Sequence, residues 1–176
     1  MRDRIFAGFG AFLFLASACA FTIYVIIQSG SSEDTASKTA ASSQNCDIQT
    51  PVPSKALPAP EVYKPEGTVT ELQVTDLEEG TGAAAKNGDC LVMKYQGNLA
   101  SDGTVFDENY TKDQSLQFTL GAGNVIKGWD EGLVGMKVGG TRRLVIPASL
   151  GYGSQGNSTI PANSDLVFTV KLESIK

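Results

Sequence analysis

Trp129, the single tryptophan of the chain, stands in the string 123–133, GNVIKGWDEGL, which contains no histidine, cysteine or serine. The whole chain of 176 residues has no histidine at all. That composition excludes Ser-His-Asp and Cys-His nucleophilic catalysis, and it excludes zinc held by imidazole. The chemistry open to the sequence is that of carboxylates, hydroxyls, lysines, backbone amides and shape. Trp129 itself supports two readings. It is a core residue of an amphipathic helix whose Gly128 and Gly132 permit close packing, or it is part of a site. The glycines favour the second, because each costs about 1 kcal/mol relative to alanine in a helix interior. Four aromatics, Tyr95, Phe106, Tyr152 and Phe168, lie on segments able to converge on the start of that helix.

Other motifs carry less. Residues 151–156, GYGSQG, match the dinucleotide fingerprint GxGxxG letter for letter. That fingerprint works only between a strand and a helix, and here NSTIP follows, which is a loop. Asp102, Asp107 and Glu108 are close together but lack the calcium-loop spacing, and Ser101-Asp102-Gly103 is ordinary turn chemistry. No metal site is expected. Asn109-Tyr110-Thr111 and Asn157-Ser158-Thr159 have the form of glycosylation acceptors, a match frequent by chance. Glu78-Glu79 is a solvated loop. The net charge of -5 argues against binding nucleic acid.

The elements that position these residues are mostly strands. Leu91, Met93 and Tyr95 alternate with polar neighbours, as do Leu116, Phe118 and Leu120. Leu166, Phe168, Val170 and Leu172 do so most clearly, and 142–146 (RRLVI) is a further strand stopped by Pro147. Asn87-Gly88, 101–103 and Val138-Gly139-Gly140 mark turns between them. Only Ile126, Trp129, Leu133 and Met136 have helical spacing. The plan is α+β, with one short helix laid on one face of a curved antiparallel sheet. This domain occupies 67–176.

Residues 1–29 read differently. Ile5 to Ile27 is an uncharged apolar run, long enough as a helix to exceed the roughly 30 Å of a bilayer's hydrocarbon layer. Arg2 and Arg4 precede it and an acidic SSED follows, which leaves the N-terminus cytosolic and the domain outside. The expectation is a single-pass cell-membrane protein whose lipid contact is this signal-anchor. The alternative is a secreted or lipid-anchored form, cut after Ala16-Ser17-Ala18 near Cys19. Residues 30–66, rich in Ser, Ala and Pro, are expected to be a flexible linker. Cys46 and Cys90 lie outside the apolar run. In an oxidising compartment they could form a disulfide, or they stand as two independent thiols.

The strings VMKYQGNLASDGTVFDEN, FTLGAGNVIKGWDEGLVGMKVGGTRRLVIPASLGYG and IPANSDLVFTVKLESI resemble the FKBP family of peptidyl-prolyl cis-trans isomerases, in order and in approximate spacing. The resemblance covers 67–176 and none of the anchor or linker. It implies a strongly curved sheet wrapped around the helix, with a pocket between them. Tyr95 and Phe106 match pocket-wall aromatics, and Asp107 matches the acid facing the ligand. Val125 and Ile126 match the pair at the helix start, where the isoleucine N–H binds a ligand carbonyl. Trp129 matches the pocket floor, and Tyr152 a hydroxyl donor to the ligand. Ile160 and Phe168 complete the apolar wall.

Leu116 stands where the family often has an aromatic, Lys112 where arginine is common, and Asn157 near a place where histidine occurs. These departures bear on substrate preference and on affinity for macrolides such as rapamycin. The resemblance implies a cofactor-independent isomerase acting on proline-containing polypeptides, as a monomer. A proline-binding chaperone module of the same fold with little turnover is the alternative.

Overall fold

The computed structural model describes Cys46 and residues 51–176. Seven strands form one antiparallel sheet: β1 (Val52–Pro53), β2 (Gln73–Glu78), β3 (Cys90–Leu99), β4 (Val105–Glu108), β5 (Gln114–Thr119), β6 (Thr141–Ile146) and β7 (Leu166–Ile175). Their order is β1-β5-β3-β7-β6-β2, with β4 paired to the far end of β3. Register shifts interrupt the ladders β2–β6, β3–β4 and β3–β7. Such bulges increase local twist and bend a strand, so the sheet curves. The helix α1 (Lys127–Gly132) lies in the concavity. It is shorter than the spacing from Ile126 to Met136 suggests. Leu133 and Met136 keep the expected inward face but follow the helix in turns, where Met136 N–H donates to Leu133 and Gly135 N–H to Ala85.

The core is the space between helix and sheet. Leu91, Met93, Phe118, Leu133, Leu144, Leu166, Val170 and Leu172 are buried there around Trp129. The helix glycines are explained by distance. A Cβ built on Gly128 would lie 2.5 Å from Ile146 Cγ2, and one on Gly132 would lie 2.8 Å from Leu144 Cδ2. Two missing side chains thus set how closely α1 approaches β6.

The outer face of β3 departs from simple alternation. Lys94, Gln96 and Asn98, which should face water, are 0%, 4% and 2% exposed. Lys94 is closed over by 109–114, whose carbonyls its ammonium meets. Gln96 and Asn98 are covered by residues 51–66, expected as part of a flexible linker and found instead as a strap fixed along the domain. Its β1 pairs with β5, Val52 opposite Ser115 and Pro53 opposite Gln114. Leu57 N–H donates to Tyr110, Gln96 Nε2 donates to the Pro60 carbonyl, and Asn98 Nδ2 donates to that of Tyr63. The Arg143 guanidinium stacks 3.9 Å over the Tyr63 ring. Proline leaves few backbone N–H groups to satisfy, so buried amide side chains on β3 can take the strap's carbonyls directly. The ordered domain therefore begins upstream of residue 67. Cys46 and Cys90 are joined in a disulfide at the head of β3. The membrane-anchor reading of 1–29 falls outside the described residues, as does most of the linker before the strap. Among the described residues no helix is long and apolar enough to cross a membrane.

Candidate active site

Between the start of α1 and the concave face of the sheet lies a cleft of about 460 Å³. All ten residues expected to catalyse or to bind substrate line it. Tyr95 comes from β3, Phe106 and Asp107 from β4, Leu116 from β5 and Phe168 from β7. Val125, Ile126 and Trp129 come from the entry to α1, and Tyr152 and Ile160 from the loop before β7. Of three further wall residues, Asn124, Asn157 and Thr159, the sequence marks only Asn157, as a departure from the family. They are loop residues with no periodicity to mark them.

Trp129 is 3% exposed and forms the centre of an aromatic cluster. Its ring centroid is 5.2 Å from Phe168, 5.5 Å from Tyr95 and 5.7 Å from Phe118, with the first two edge-to-face. Phe106 in turn meets Phe168 edge-on at 5.6 Å. Such edge contacts fix ring orientation and contribute about 0.5–1.5 kcal/mol each beyond burial. Gly97 makes the pairing possible: a Cβ there would fall 2.6 Å from Phe168 and 2.7 Å from Phe106.

The polar groups are few and placed. Tyr95 Oη donates to Asp107 Oδ2 at 2.5 Å. Burial raises the Tyr95 phenol well above its ordinary range, and the Asp107 carboxylate raises it further. Tyr152 is shifted up likewise, first by burial and then by the Asp107 charge. Both phenols therefore remain protonated donors at neutral pH. Ile126 is the N-cap residue of α1, with no side-chain cap. Its carbonyl accepts from Trp129 N–H, while its own N–H has no partner among the described residues. Asp130 accepts from the backbone N–H groups of Gly121 and Gly123, which ties the entry loop to the helix and so positions Val125 and Ile126.

The GYGSQG stretch is a loop, as its sequel required. Gly156 N–H returns to Tyr152, Asn163 N–H to Gly153, and Asn157 N–H to Ile160. Asn157 Oδ1 accepts from Thr159 N–H and Ile160 N–H, which holds Ile160 inward at 2% exposure. Among the described residues no group of carboxylates or cysteines is placed to hold a metal. What remains is an open cleft walled by aromatic and aliphatic side chains. The Ile126 N–H is unpartnered among the described residues, and the Tyr95 and Tyr152 phenols lie beside the Asp107 carboxylate.

A half-wrapped antiparallel sheet with a Trp-floored cleft over one short helix defines a class of proteins, and comparison supplies its name. Residues 82–173 match the family model described as FKBP-type peptidyl-prolyl cis-trans isomerase. The chain belongs to that family. It is 53% identical over 116 residues to FK506-binding protein 4 of Neurospora crassa, which covers 64% of this chain and 24% of that one. It is 45% identical over 128 residues to a peptidyl-prolyl cis-trans isomerase of Saccharomyces cerevisiae, covering 72% and 31%. The crystal structure of FkpA from Escherichia coli superimposes with a TM-score of 0.56 at 45% identity, over 62% of this chain and 51% of that one. This chain thus spans well under half the length of those fungal relatives.

Proposed function

We propose that this protein is a peptidyl-prolyl cis-trans isomerase that needs no cofactor. The observation that carries the reading is the Trp129 floor, walled by Phe106 and Phe168, in a cleft lined by neither histidine nor cysteine. Rotation about an X-Pro bond is slow, tens to hundreds of seconds at 25 °C, because twisting costs about 18–20 kcal/mol of amide resonance. The twisted amide has less charge separation than the planar one. A water-poor cleft therefore disfavours the planar ground state relative to the twisted state, and only such a differential accelerates the step. The Ile126 N–H and the Tyr152 hydroxyl orient the substrate carbonyls, which keeps the prolyl ring over the indole.

The reading extends to location. The apolar run Ile5–Ile27 behind Arg2 and Arg4, and the Cys46–Cys90 disulfide, support a membrane-held isomerase displayed outside the cytosol, where it acts on folding chains. Macrolides such as rapamycin are proposed as competing ligands.

Exchange NMR on an X-Pro tetrapeptide with the full chain tests the activity. Trp129→Leu and Tyr152→Phe should each slow exchange while the fold persists by circular dichroism. Undiminished catalysis in a Phe106/Asp107/Tyr152 triple alanine variant would remove the cleft as the site. Binding without any acceleration would mark a proline-gripping chaperone module instead.

A further inference from the structure

Beside the main cleft lies a smaller one of about 110 Å³. Tyr95 and Leu116 line both, so the two clefts adjoin at those side chains. The outer walls of the small cleft come from two segments: Pro51 of the strap on one side, and on the other Glu108 at the end of β4, Lys112 of the connection and Gln114 at the start of β5. Independent small-molecule sites run to about 300–1,000 Å³, so this space is too small for a ligand of its own. It is the scale of one or two residues of a peptide already seated next door.

We propose that the strap completes a second substrate subsite, in which the side cleft at Pro51 receives the residues flanking the prolyl bond. The inference rests on the isomerase reading for the placement of the proline, and on the geometry for the rest. Both walls are held rigidly. Pro51 directly precedes β1, which pairs with β5, and Ser54 N–H donates to the Asp113 carbonyl. Upstream, the Cys46–Cys90 bridge fastens the strap to the head of β3. The opposite wall is fixed by the buried Lys94 ammonium, which donates to the carbonyls of Lys112 and Gln114. A preformed cleft of this kind adds affinity without ordering cost. Its lining also says what enters. The Glu108 carboxylate is occupied by Thr111 N–H and Oγ1, and Lys112 Nζ by the Glu108 carbonyl. Lys112 Nζ also pairs with Asp107 Oδ1 at 4.0 Å, so neither charge is left without a partner to select a charged guest. Gln114 offers amide donors and acceptors. The subsite therefore suits small or polar residues and their peptide groups.

The test compares an X-Pro tetrapeptide with an octapeptide that places Ser, Asn and Gln around the same central pair. Both are titrated against the full chain. Fluorescence of the single Trp129 reports occupancy of the main cleft whether or not turnover occurs. The octapeptide should bind about tenfold tighter, a gain of the size a preorganised contact supplies. In Cys46→Ser/Cys90→Ser, and independently in Pro51→Gly, that ratio should fall toward one with the tetrapeptide Kd and its exchange rate unchanged. A wild-type ratio near one, or a ratio that survives in both variants, would overturn the subsite. If the tetrapeptide binds but is not isomerised, the catalytic reading falls while the affinity ratio still decides the subsite. If neither peptide perturbs Trp129, both fall.

Discussion

The α-carbon of Gly128 sits so close to Ile146 that a methyl group in its place would lie 2.5 Å from Cγ2 and 2.8 Å from Cδ1. The helix that bears the tryptophan therefore rests directly on β6. Gly128→Ala gains about 1 kcal/mol of helix propensity but overpacks the core, which costs typically about 1–3 kcal/mol. Contact wins, because Ile146 is fully buried and has no free volume to move into. A net loss of about 1 kcal/mol in urea unfolding is expected, together with slower prolyl exchange as the Trp129 floor tilts. A more stable, fully active variant would show that α1 does not set the cleft.

Lys94 offers a second test, on the far side of the sheet. It is 0% exposed, and its ammonium donates to the carbonyls of Asn109 at 3.3 Å, Lys112 at 2.7 Å and Gln114 at 2.9 Å. No carboxylate forms an ion pair with it among the described residues. Lys94→Met keeps the volume and orphans the carbonyls of Lys112 and Gln114, each worth about 1–3 kcal/mol when left unpaired in the interior, whereas the Asn109 carbonyl keeps the Lys112 N–H. Relief of the buried charge offsets part of that. The expected loss is about 2–4 kcal/mol by urea unfolding, with faster amide exchange across 109–114.

The cleft was legible in the sequence, and the strap was not, for different physical reasons. Only Val125, Ile126 and Trp129 lie in the string with the lone tryptophan, and the other site residues, scattered from Tyr95 to Phe168, were legible through the family resemblance. Strands such as 166–172 alternate cleanly because one face is core and the other is not. Residues 51–66 have little apolar surface, and they bind through their own carbonyls to Gln96 and Asn98, far along the chain. That pairing leaves no period to detect. β2 escaped notice because every residue in it is exposed, Val74 and Leu77 included, so no inward face exists. The helix was expected to run longer because Leu133 and Met136 keep helical spacing while already lying in turns.

Alkaline pH should reveal the buried phenols. Tyr95 and Tyr110 both have pKa values raised above the ordinary value near 10, in each case chiefly by burial. In Tyr95 the Asp107 contact adds to the shift, and in Tyr110 the Glu173 charge does. The unfolded chain loses these protons first, so it binds fewer than the native state once the pH exceeds about 10. Stability is then fully present below that value and falls as pH rises toward the folded-state values. Urea midpoints should decline between about pH 10 and 11, and Tyr95→Phe should flatten the decline. Prolyl exchange should stay level from neutrality to about pH 9, because both rim phenols keep their protons. A pH-independent midpoint in that alkaline window would contradict the burial of both groups.

Breaking the Cys46–Cys90 bridge should loosen the strap before the core. The crosslink closes a loop with a sequence separation of 44. Loop-closure entropy for that length sets a ceiling of about 4 kcal/mol at 25 °C, and typical bridges deliver about 2–4. The effect is local as well as global, since β1 is only two residues long and one edge of the sheet depends on it. Ser54 Oγ also donates to Glu173 Oε1 at 2.8 Å, and Ser115 Oγ to the same carboxylate, so the strap end and two strands share one acceptor. Reduction should therefore expose the amides of Leu57 and the side-chain amides of Gln96 and Asn98 to exchange first. The amides of Val167 and Thr169, in the part of β7 paired on both sides to β3 and β6, should remain protected until global unfolding. Hydrogen exchange with and without reductant measures both. Equal acceleration at all of these positions would mean that the bridge holds the whole domain rather than the strap.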